Sequence, residues 1–245
     1  MFNRYSISAV ILMAVVIATY VIQFYWNLGY SISDKASDWV DFSDYVGGLI
    51  SPLLTFVSLV LLIQSLNLQN QANKELRAEV KQNQINEKLR SFETYFFGLI
   101  EAQKSSFSNF KLDFPSHLGG KSLDGVCAVQ ELEDQIENLR NANAVDADIE
   151  QAIEVIDKDE RIYNTIRIFY NIVKMTNERL ANDSGFDEKT RKQQYQTLIS
   201  FTEFSQLRLV MISMQFINCP ASAYLKQCAE FMDVLIELGG GADLY

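Results

Sequence analysis

The chain has 245 residues, a formal net charge of −10 and 48% hydrophobic residues. Three Pro and 11 Gly are too few for a loop-rich all-β fold, and three Cys are too sparse for a disulfide scaffold. The negative charge argues against a non-specific nucleic-acid binder, because such a protein needs a positive field to displace counterions. The longest apolar stretches lie near the N-terminus, which argues against a simple soluble enzyme.

Residues 7–26 form the first uncharged apolar run. At ~1.5 Å per residue, a helix of this length crosses the ~30 Å hydrocarbon core of a bilayer. Tyr20, Tyr25 and Trp26 lie toward its end, as in an interfacial aromatic belt. A cleaved signal peptide is the alternative, but the bulky residues after the apolar core do not suit cleavage. We therefore predict an uncleaved transmembrane helix.

A second uncharged run covers residues 45–66, and its Pro52 either kinks a helix or marks its first turn. Small residues recur through this run at helical spacing, and small residues let helices approach closely in lipid. We call the following set the small-residue face, a candidate helix-packing or pore face: Gly47, Gly48, Ser51, Pro52, Thr55, Ser58 and Ser65. It would serve either an oligomer or pore, or packing within the chain against Ala14 and Ala18.

Neither run holds an ionisable residue, which argues against a coupled transporter, because such proteins place charges at mid-membrane. The segment between the runs, residues 27–44, contains one Lys and four Asp. The basic residues that follow the second run are Lys74, Arg77, Lys81, Lys88 and Arg90. The positive-inside rule then predicts a multi-pass protein with both termini in the cytoplasm.

Residues 64–86 are rich in Gln and Asn and contain no Pro or Gly, which predicts one continuous helix leaving the second span. From residue 85 the apolar side chains follow a 4-3-4-3 spacing typical of helix association. This association seam consists of Ile85, Leu89, Phe92, Phe96 and Leu99. It forms either a short coiled coil or the core face of an amphipathic helix.

After a loop at residues 114–120, amphipathic patterns predict further helices. One pattern lies between Val126 and Leu139, and a longer one runs from Ile149 to Val173. A third helix, capped by Asp187, is expected to continue to residue 218, and a last helix covers about 221–238.

No alternating strand pattern is present, so the sequence predicts an all-α membrane protein. Its predicted parts are a two-span transmembrane hairpin at residues 1–68, a juxtamembrane helix at 69–112 and a cytoplasmic α-helical bundle at 113–245.

Catalytic motifs are missing from the sequence. The single histidine, His117, lies in a Gly-rich loop, and one His with three dispersed Cys cannot build a typical structural zinc site. Phosphate-binding loops, GxGxxG and G-x-S-x-G motifs are also missing. We therefore expect no enzymatic activity, no catalytic residue, no cofactor, no metal and no small-molecule substrate.

Four groups of residues are expected to have structural and not functional roles. The acidic cluster Glu131, Glu133 and Asp134 is expected to be a solvated helix face rather than a metal site. The basic cluster Lys189, Arg191 and Lys192 is expected to be a surface turn at a helix start rather than a phosphate site. Cys219 and Cys228 are expected to be two helix-core thiols, and residues 239–241 a frayed glycine tail.

Three stretches resemble a known family. Residues 41–54, DFSDYVGGLISPLL, resemble the start of the second span in phage abortive-infection proteins. Residues 92–100, FETYFFGLI, resemble their F-x-x-x-F-F-x-L-[LI] helix, and residues 195–218 resemble their late helix. The similarity covers most of residues 41–218. The same architecture is found in the two-span effector proteins encoded beside some retron reverse transcriptases.

The resemblance implies an anti-phage effector of the cell inner membrane, which damages or depolarises the membrane on a phage trigger and so causes abortive infection. The expected partners are the lipid bilayer and either further copies of the chain or an inhibitory complex with a reverse transcriptase and its RNA/DNA product. The alternative is a membrane-tethered helical scaffold or sensor subunit that binds a cytoplasmic protein.

Overall fold

The computed structural model describes residues 4–29, 31–115 and 120–245, with side chains from Ile7 onward. The chain is 80% helical, so the predominantly helical fold is confirmed. The described helices are α1 (Arg4–Val21), α2 (Ala36–Ser108), α3 (Gly125–Asn141), α4 (Asp146–Ile156), α5 (Arg161–Arg179), α6 (Glu188–Phe201), α7 (Phe204–Phe216), α8 (Pro220–Gln227) and α9 (Ala229–Glu237). The strands are β1 (Lys111–Asp113) and β2 (Ser122–Asp124). The chain divides into two compact units, Met1–Lys81 and Gln82–Tyr245.

The N-terminal unit contains α1, a π-helical turn at Ile22–Asn27 and the first part of α2. Two described helical stretches, Ile7–Asn27 and α2, are long and apolar enough by length and composition to cross a membrane, each with a window of mean hydropathy 2.4. Because α2 begins at Ala36, Pro52 lies inside this helix and not in its first turn. The missing N–H of Pro52 leaves the carbonyl of Gly48 without its usual helical donor.

Aromatic contacts join α1 to α2 near the loop that connects them. The Tyr20 ring stacks on Phe24 with centroids 4.4 Å apart, and it meets the Phe42 ring at 4.7 Å. Trp39 meets the same Phe42 edge-on at 6.2 Å, and its indole N–H donates to the carbonyl oxygen of Ser33 at 3.0 Å. Trp26, in contrast, is 79% exposed. These contacts fix the loop end of the helical hairpin.

The second unit has one hydrophobic core, to which the last part of α2 and helices α3 to α9 contribute. Large aromatic side chains fill its centre: Phe231 packs edge-on against Phe169 at 5.7 Å and against Tyr195 at 5.9 Å. The Tyr195 hydroxyl lies 3.8 Å from the sulfur of Cys228. Burial raises the pKa of Tyr195 above its usual range, so this side chain stays neutral and serves packing.

Three helices that the sequence predicts as continuous are broken. The pattern from Ile149 to Val173 spans two helices, because α4 ends at Ile156 and the Asp157 carboxylate accepts the N–H of Ile162 at the start of α5. The next predicted helix is in fact two helices, α6 and α7, which extended backbone at Thr202 separates. The last predicted helix is likewise two, α8 and α9, which are separated at Cys228. The amphipathic periodicity continues through each short break and conceals it.

The expectation that the chain contains no strand is wrong, because β1 and β2 form a short antiparallel hairpin. Leu112 pairs with Leu123, and the Phe114 N–H donates to the carbonyl oxygen of Lys121 at 2.7 Å. Strands of three residues are too short for an alternating pattern to be recognisable in sequence. His117 lies outside the described residues.

Candidate functional site

The small-residue face of α2 is exposed at all seven of its positions in the chain: Gly47, Gly48, Ser51, Pro52, Thr55, Ser58 and Ser65. A Cβ added at Gly47 or Gly48 would meet nothing within 4 Å. Val46, Ile50 and Leu54 border the same surface, which forms a shallow open groove along the helix. The groove therefore combines hydroxyl groups and glycines with an apolar border.

Larger apolar side chains, and not the small ones, form the contact between α2 and α1. Leu12 and Met13 of α1 enclose a narrow gap with Leu53 and Val57 of α2. Ala14 and Ala18 are exposed, so the structure does not show the packing of the small-residue face against these two alanines, one of the two alternatives that the sequence left open. The physical reason is that the large side chains of α2 occupy the side that faces α1. Within the described part of the chain, the small-residue face has no partner helix.

The hydroxyl of Thr55 donates to the carbonyl oxygen of Ser51 at 2.9 Å, within α2. Such back-bonding satisfies the hydroxyl hydrogen inside the helix and leaves the oxygen as an acceptor on the face. The face can therefore approach another helix closely or stay in contact with water.

The association seam of α2 lies against the core of the second unit. Phe92 and Phe96 are fully buried there, and Ile85, Leu89 and Leu99 are partly buried against the same core. The Cα of Gly185 approaches the seam so closely that a Cβ would lie 3.2 Å from Ile85 Cδ1. These five side chains therefore form the core face of an amphipathic helix, and they leave little apolar surface for association between copies.

The basic cluster contains a buried charge, which corrects the expectation of a surface turn. Arg191 is only 6% exposed, and its Nε and Nη2 donate to the two carboxylate oxygens of Glu230 at 2.7 and 2.6 Å. Its Nη1 donates to the carbonyl oxygen of Leu180 at 3.0 Å and to Asn182 Oδ1 at 2.8 Å. Hydrogen bonding to Glu230 raises the pKa of Arg191 above its usual value. Arg191 thus fastens α6 to α9 and is not placed to bind phosphate.

The two late cysteines are half-buried and pack against the hydrophobic core, as expected of core thiols, but they lie at helix ends and not inside helices. The sulfur of Cys219 accepts the N–H of Ser222 at 3.5 Å and caps α8. Cys228 separates α8 from α9, where its extended backbone interrupts the helix.

The acidic cluster of α3 takes part in a side-chain network. Glu133 accepts a hydrogen bond from Arg208 at 2.7 Å and another from the Tyr245 hydroxyl at 2.6 Å. Its neighbour Glu131 accepts from Gln135 at 2.9 Å. Over the described ranges there is no group of three or more His, Cys, Asp or Glu side chains that could hold a metal ion.

An exposed aromatic patch on the second unit is not visible from sequence patterns. It consists of Phe97, Phe201 and Phe204, which are 48%, 58% and 62% exposed. The Phe97 and Phe201 rings meet edge-on at 6.2 Å, and the Arg208 guanidinium lies 4.5 Å from the centre of the Phe204 ring. No sequence signal locates it, because the amphipathic periodicity continues through the helix break at Thr202, between Phe201 and Phe204.

Buried amide groups lie next to this aromatic patch. Gln103 Nε2 donates to the Thr202 hydroxyl at 3.0 Å, whereas Gln103 Oε1 and Gln206 Nε2 are buried without a hydrogen-bond partner among the described residues. Unpaired buried polar atoms cost about 1–3 kcal/mol each. Hydrogen bonding of buried polar groups is therefore less complete at the junction of α6 and α7 than in the surrounding core.

Comparison of the chain with protein-family models, with curated proteins and with solved structures finds no match.

Proposed function

We propose that the hairpin of α1 and the first part of α2 crosses the cell inner membrane twice, with both termini in the cytoplasm. The support is that the apolar windows of both helices are 0% buried within the chain, which is unlike a core helix of a soluble protein. Soluble monomers rarely expose contiguous apolar patches beyond a few hundred Å². The acidic loop and the basic residues after the second run support the orientation.

Copies of the chain associate in the membrane through the small-residue face. The observation that carries this proposal is that the face has no partner helix within the described chain while larger side chains hold α1 to α2. In lipid the apolar surface of helices gives no preference for self-association, so close backbone approach and inter-helix hydrogen bonds decide it. A face of glycines and hydroxyls meets both requirements.

The proposed activity is damage to the membrane on a phage trigger, leading to abortive infection. Two helices cannot enclose an aqueous path alone, so several copies must assemble around one. Ser51, Thr55 and Ser58 are the hydroxyl-bearing residues of the face best suited to border water. The second unit restrains the hairpin until the trigger arrives, in an inhibitory complex with a reverse transcriptase and its RNA/DNA product. The resemblance of residues 41–54, 92–100 and 195–218 to abortive-infection proteins supports this assignment.

Membrane potential in growing cells tests this activity. The full chain, expressed without its inhibitory partner, is expected to depolarise the inner membrane before growth stops, as followed with a voltage-sensitive dye. Ser58→Leu fills the small-residue face and is expected to abolish depolarisation, whereas Phe56→Leu changes an exposed residue outside that face and is expected to have no effect. Both variants must reach the membrane fraction at equal levels. Growth arrest with a stable potential would refute the proposal.

Thiol labelling tests the orientation separately. In a chain without its three native cysteines, Ser37→Cys is expected to react with an impermeant reagent from outside the cytoplasmic membrane. Ser184→Cys is expected to react only after lysis. Labelling of Ser184→Cys in intact spheroplasts would refute the proposed topology.

The second candidate function is a tethered scaffold or sensor subunit. The exposed aromatic patch favours it, because aromatic residues beside Arg are typical of protein-binding surfaces. A combined Phe201→Ser and Phe204→Ser variant distinguishes the two functions. Loss of a co-purifying protein together with an unchanged, stable membrane potential on expression would favour the scaffold.

A further inference from the structure

The predicted frayed glycine tail at residues 239–241 is wrong, because the N–H groups of Gly239 and Gly240 donate to carbonyl oxygens of α9 at 3.0 and 2.8 Å. The residues that follow are held by side chains of α3 and α7. We define the tail as residues 241–245. The Tyr245 N–H donates to Gln215 Oε1 at 3.0 Å, and Gln215 Nε2 donates back to the Tyr245 carbonyl oxygen at 2.7 Å. Arg140 Nη2 donates to the same carbonyl oxygen at 3.1 Å. One amide side chain thus pairs with both backbone groups of one residue, as a neighbouring strand would.

The Tyr245 side chain is recognised as well. Its hydroxyl donates to Glu133 Oε1 at 2.6 Å, and the other oxygen of Glu133 is held by Arg208 at 2.7 Å. Desolvation raises the pKa of Tyr245, so the hydroxyl remains a donor. We call Glu133 and Arg140 of α3, with Arg208 and Gln215 of α7, the tyrosine site.

The connection to α9 permits the tail to leave this site. Gly239 has a φ of +83°, and a Cβ on Gly240 would lie 2.6 Å from Leu235 Cδ1. Glycine is therefore required for the close turn that returns the tail to the bundle, and three successive glycines form a hinge with low intrinsic stiffness.

The tail is held by polar contacts and by the packing of Ala242 and Tyr245 against the hydrophobic core. Leu244 is 54% exposed and Asp243 is also exposed, while Ala242 and Tyr245 are only partly buried. Water can replace polar contacts of this kind when the tail leaves, so each contributes modestly to net stability.

We propose that the tyrosine site is a peptide-binding site which the chain's own tail fills reversibly, and that its ligand in trans is the tail of a second copy of this chain. The tail of any copy carries the same backbone and tyrosine groups, so the contacts in one chain can form between two. The glycine hinge supplies the freedom for the exchange. This site lies within the second unit, and its chemistry is independent of the proposed membrane activity.

Peptide binding tests the site first. A fluorescein-labelled peptide, Gly-Gly-Ala-Asp-Leu-Tyr, is titrated in detergent against the intact chain and against a chain ending at Gly239. The shortened chain is expected to bind, and the intact chain at least tenfold more weakly, since a tethered tail competes at an effective concentration in the millimolar range. A peptide ending in Phe is expected to bind about fivefold more weakly, because it loses the hydrogen bond to Glu133. No binding to a folded shortened chain, or equal binding of the Phe peptide, would overturn the proposal.

Displacement then tests exchange between copies. A full chain carrying Glu133→Gln and Gln215→Ala has a disabled tyrosine site and a free tail, and it is expected to displace the labelled peptide from the shortened chain. The same chain with an added Tyr245→Ala is the matched control and is expected to displace none. Displacement by both chains, or by neither, would refute exchange. Association of the hairpins does not affect the comparison, because both competitors have the same α1 and α2.

Discussion

Replacement of Arg191 by Ala is expected to separate α6 from α9 more severely than any change at a neighbouring surface charge. Four hydrogen bonds leave this guanidinium: two to Glu230, one to the Leu180 carbonyl and one to Asn182. Removal of one partner from a buried ion pair typically costs about 3–5 kcal/mol, because it leaves an uncompensated charge.

The structure places the expected loss at the lower end of that range. The Leu180 side chain is fully buried, so its carbonyl group loses a partner in a place where water is scarce, at about 1–3 kcal/mol. The Glu230 side chain is 24% exposed, and water can therefore compensate part of its lost pairing. We expect a loss of about 3 kcal/mol, which corresponds to about a hundredfold in an opening equilibrium.

Hydrogen exchange followed by mass spectrometry measures this loss directly. Peptides from α6 and α9 of the full chain in detergent are expected to exchange about a hundredfold faster in Arg191→Ala. Arg191→Lys keeps the charge but loses the bidentate contact with Glu230, and its exchange rate is expected to lie between those of the unaltered chain and Arg191→Ala. Lys192→Ala removes two more exposed ion pairs, to Glu188 and Asp233, at the next position and serves as the control. Exchange within about twofold of the unaltered chain in Arg191→Ala would refute the argument.

Four further changes have defined outcomes. Gly98→Ala is expected to raise the free energy of unfolding by up to about 1 kcal/mol, and with it the thermal midpoint, because the new Cβ meets nothing within 4 Å and Ala favours helix. A lower midpoint, measured by circular dichroism, would contradict this. Gly240→Ala is expected to lower the thermal midpoint, because the new Cβ lies 3.1 Å from the Leu235 carbonyl oxygen. An unchanged midpoint would show that the turn relaxes. Asp157→Ala is expected to cost about 1 kcal/mol by removing the acceptor for the Ile162 N–H. Burial raises the pKa of Asp157, so the folded chain binds this proton more tightly than the unfolded chain does. The stability that results is fully present below the usual pKa of Asp and is lost as the pH rises through the pKa in the folded chain. The stability of Asp157→Asn relative to the unaltered chain must therefore increase from about pH 4 to about pH 7, and a constant difference would contradict this sign.

The helices with strong, uninterrupted patterns could be predicted from sequence. Residues 64–86 lack Pro and Gly, and they lie within α2 as expected. The association seam at residues 85–99 has a spacing that fits both a coiled coil and a core face. Only the burial of Phe92 and Phe96 in the core of the second unit favours the core face, and that core is built largely by helices much later in the chain.

The composition of the small-residue face could also be predicted, but its surroundings could not. Helical spacing shows which residues share a side of α2, whereas the side that faces α1 depends on how Leu53 and Val57 pack. For that reason the structure does not show the intrachain alternative, in which this face packs against Ala14 and Ala18.

Contacts between distant residues account for the remaining errors. Arg191 finds Glu230 39 positions later, and Gln215 finds Tyr245 30 positions later. No local pattern distinguishes such a charge from a solvated one, or a docked glycine-linked tail from a frayed end. A buried Arg therefore resembles a surface Arg until its partners are known.

The placement of the tryptophans has an optical consequence. Trp26 and Trp39 are the only two in the chain, and both lie in the N-terminal unit. Intrinsic tryptophan emission therefore reports on that unit alone, while the ellipticity at 222 nm reports on all helices together. Brominated lipids would quench an indole that lies among acyl chains, so the exposed Trp26 and the Ser33-bound Trp39 can report insertion depth without an added label. One unlabelled sample can then separate the melting of helices α3 to α9 from changes around the two tryptophans of the N-terminal unit.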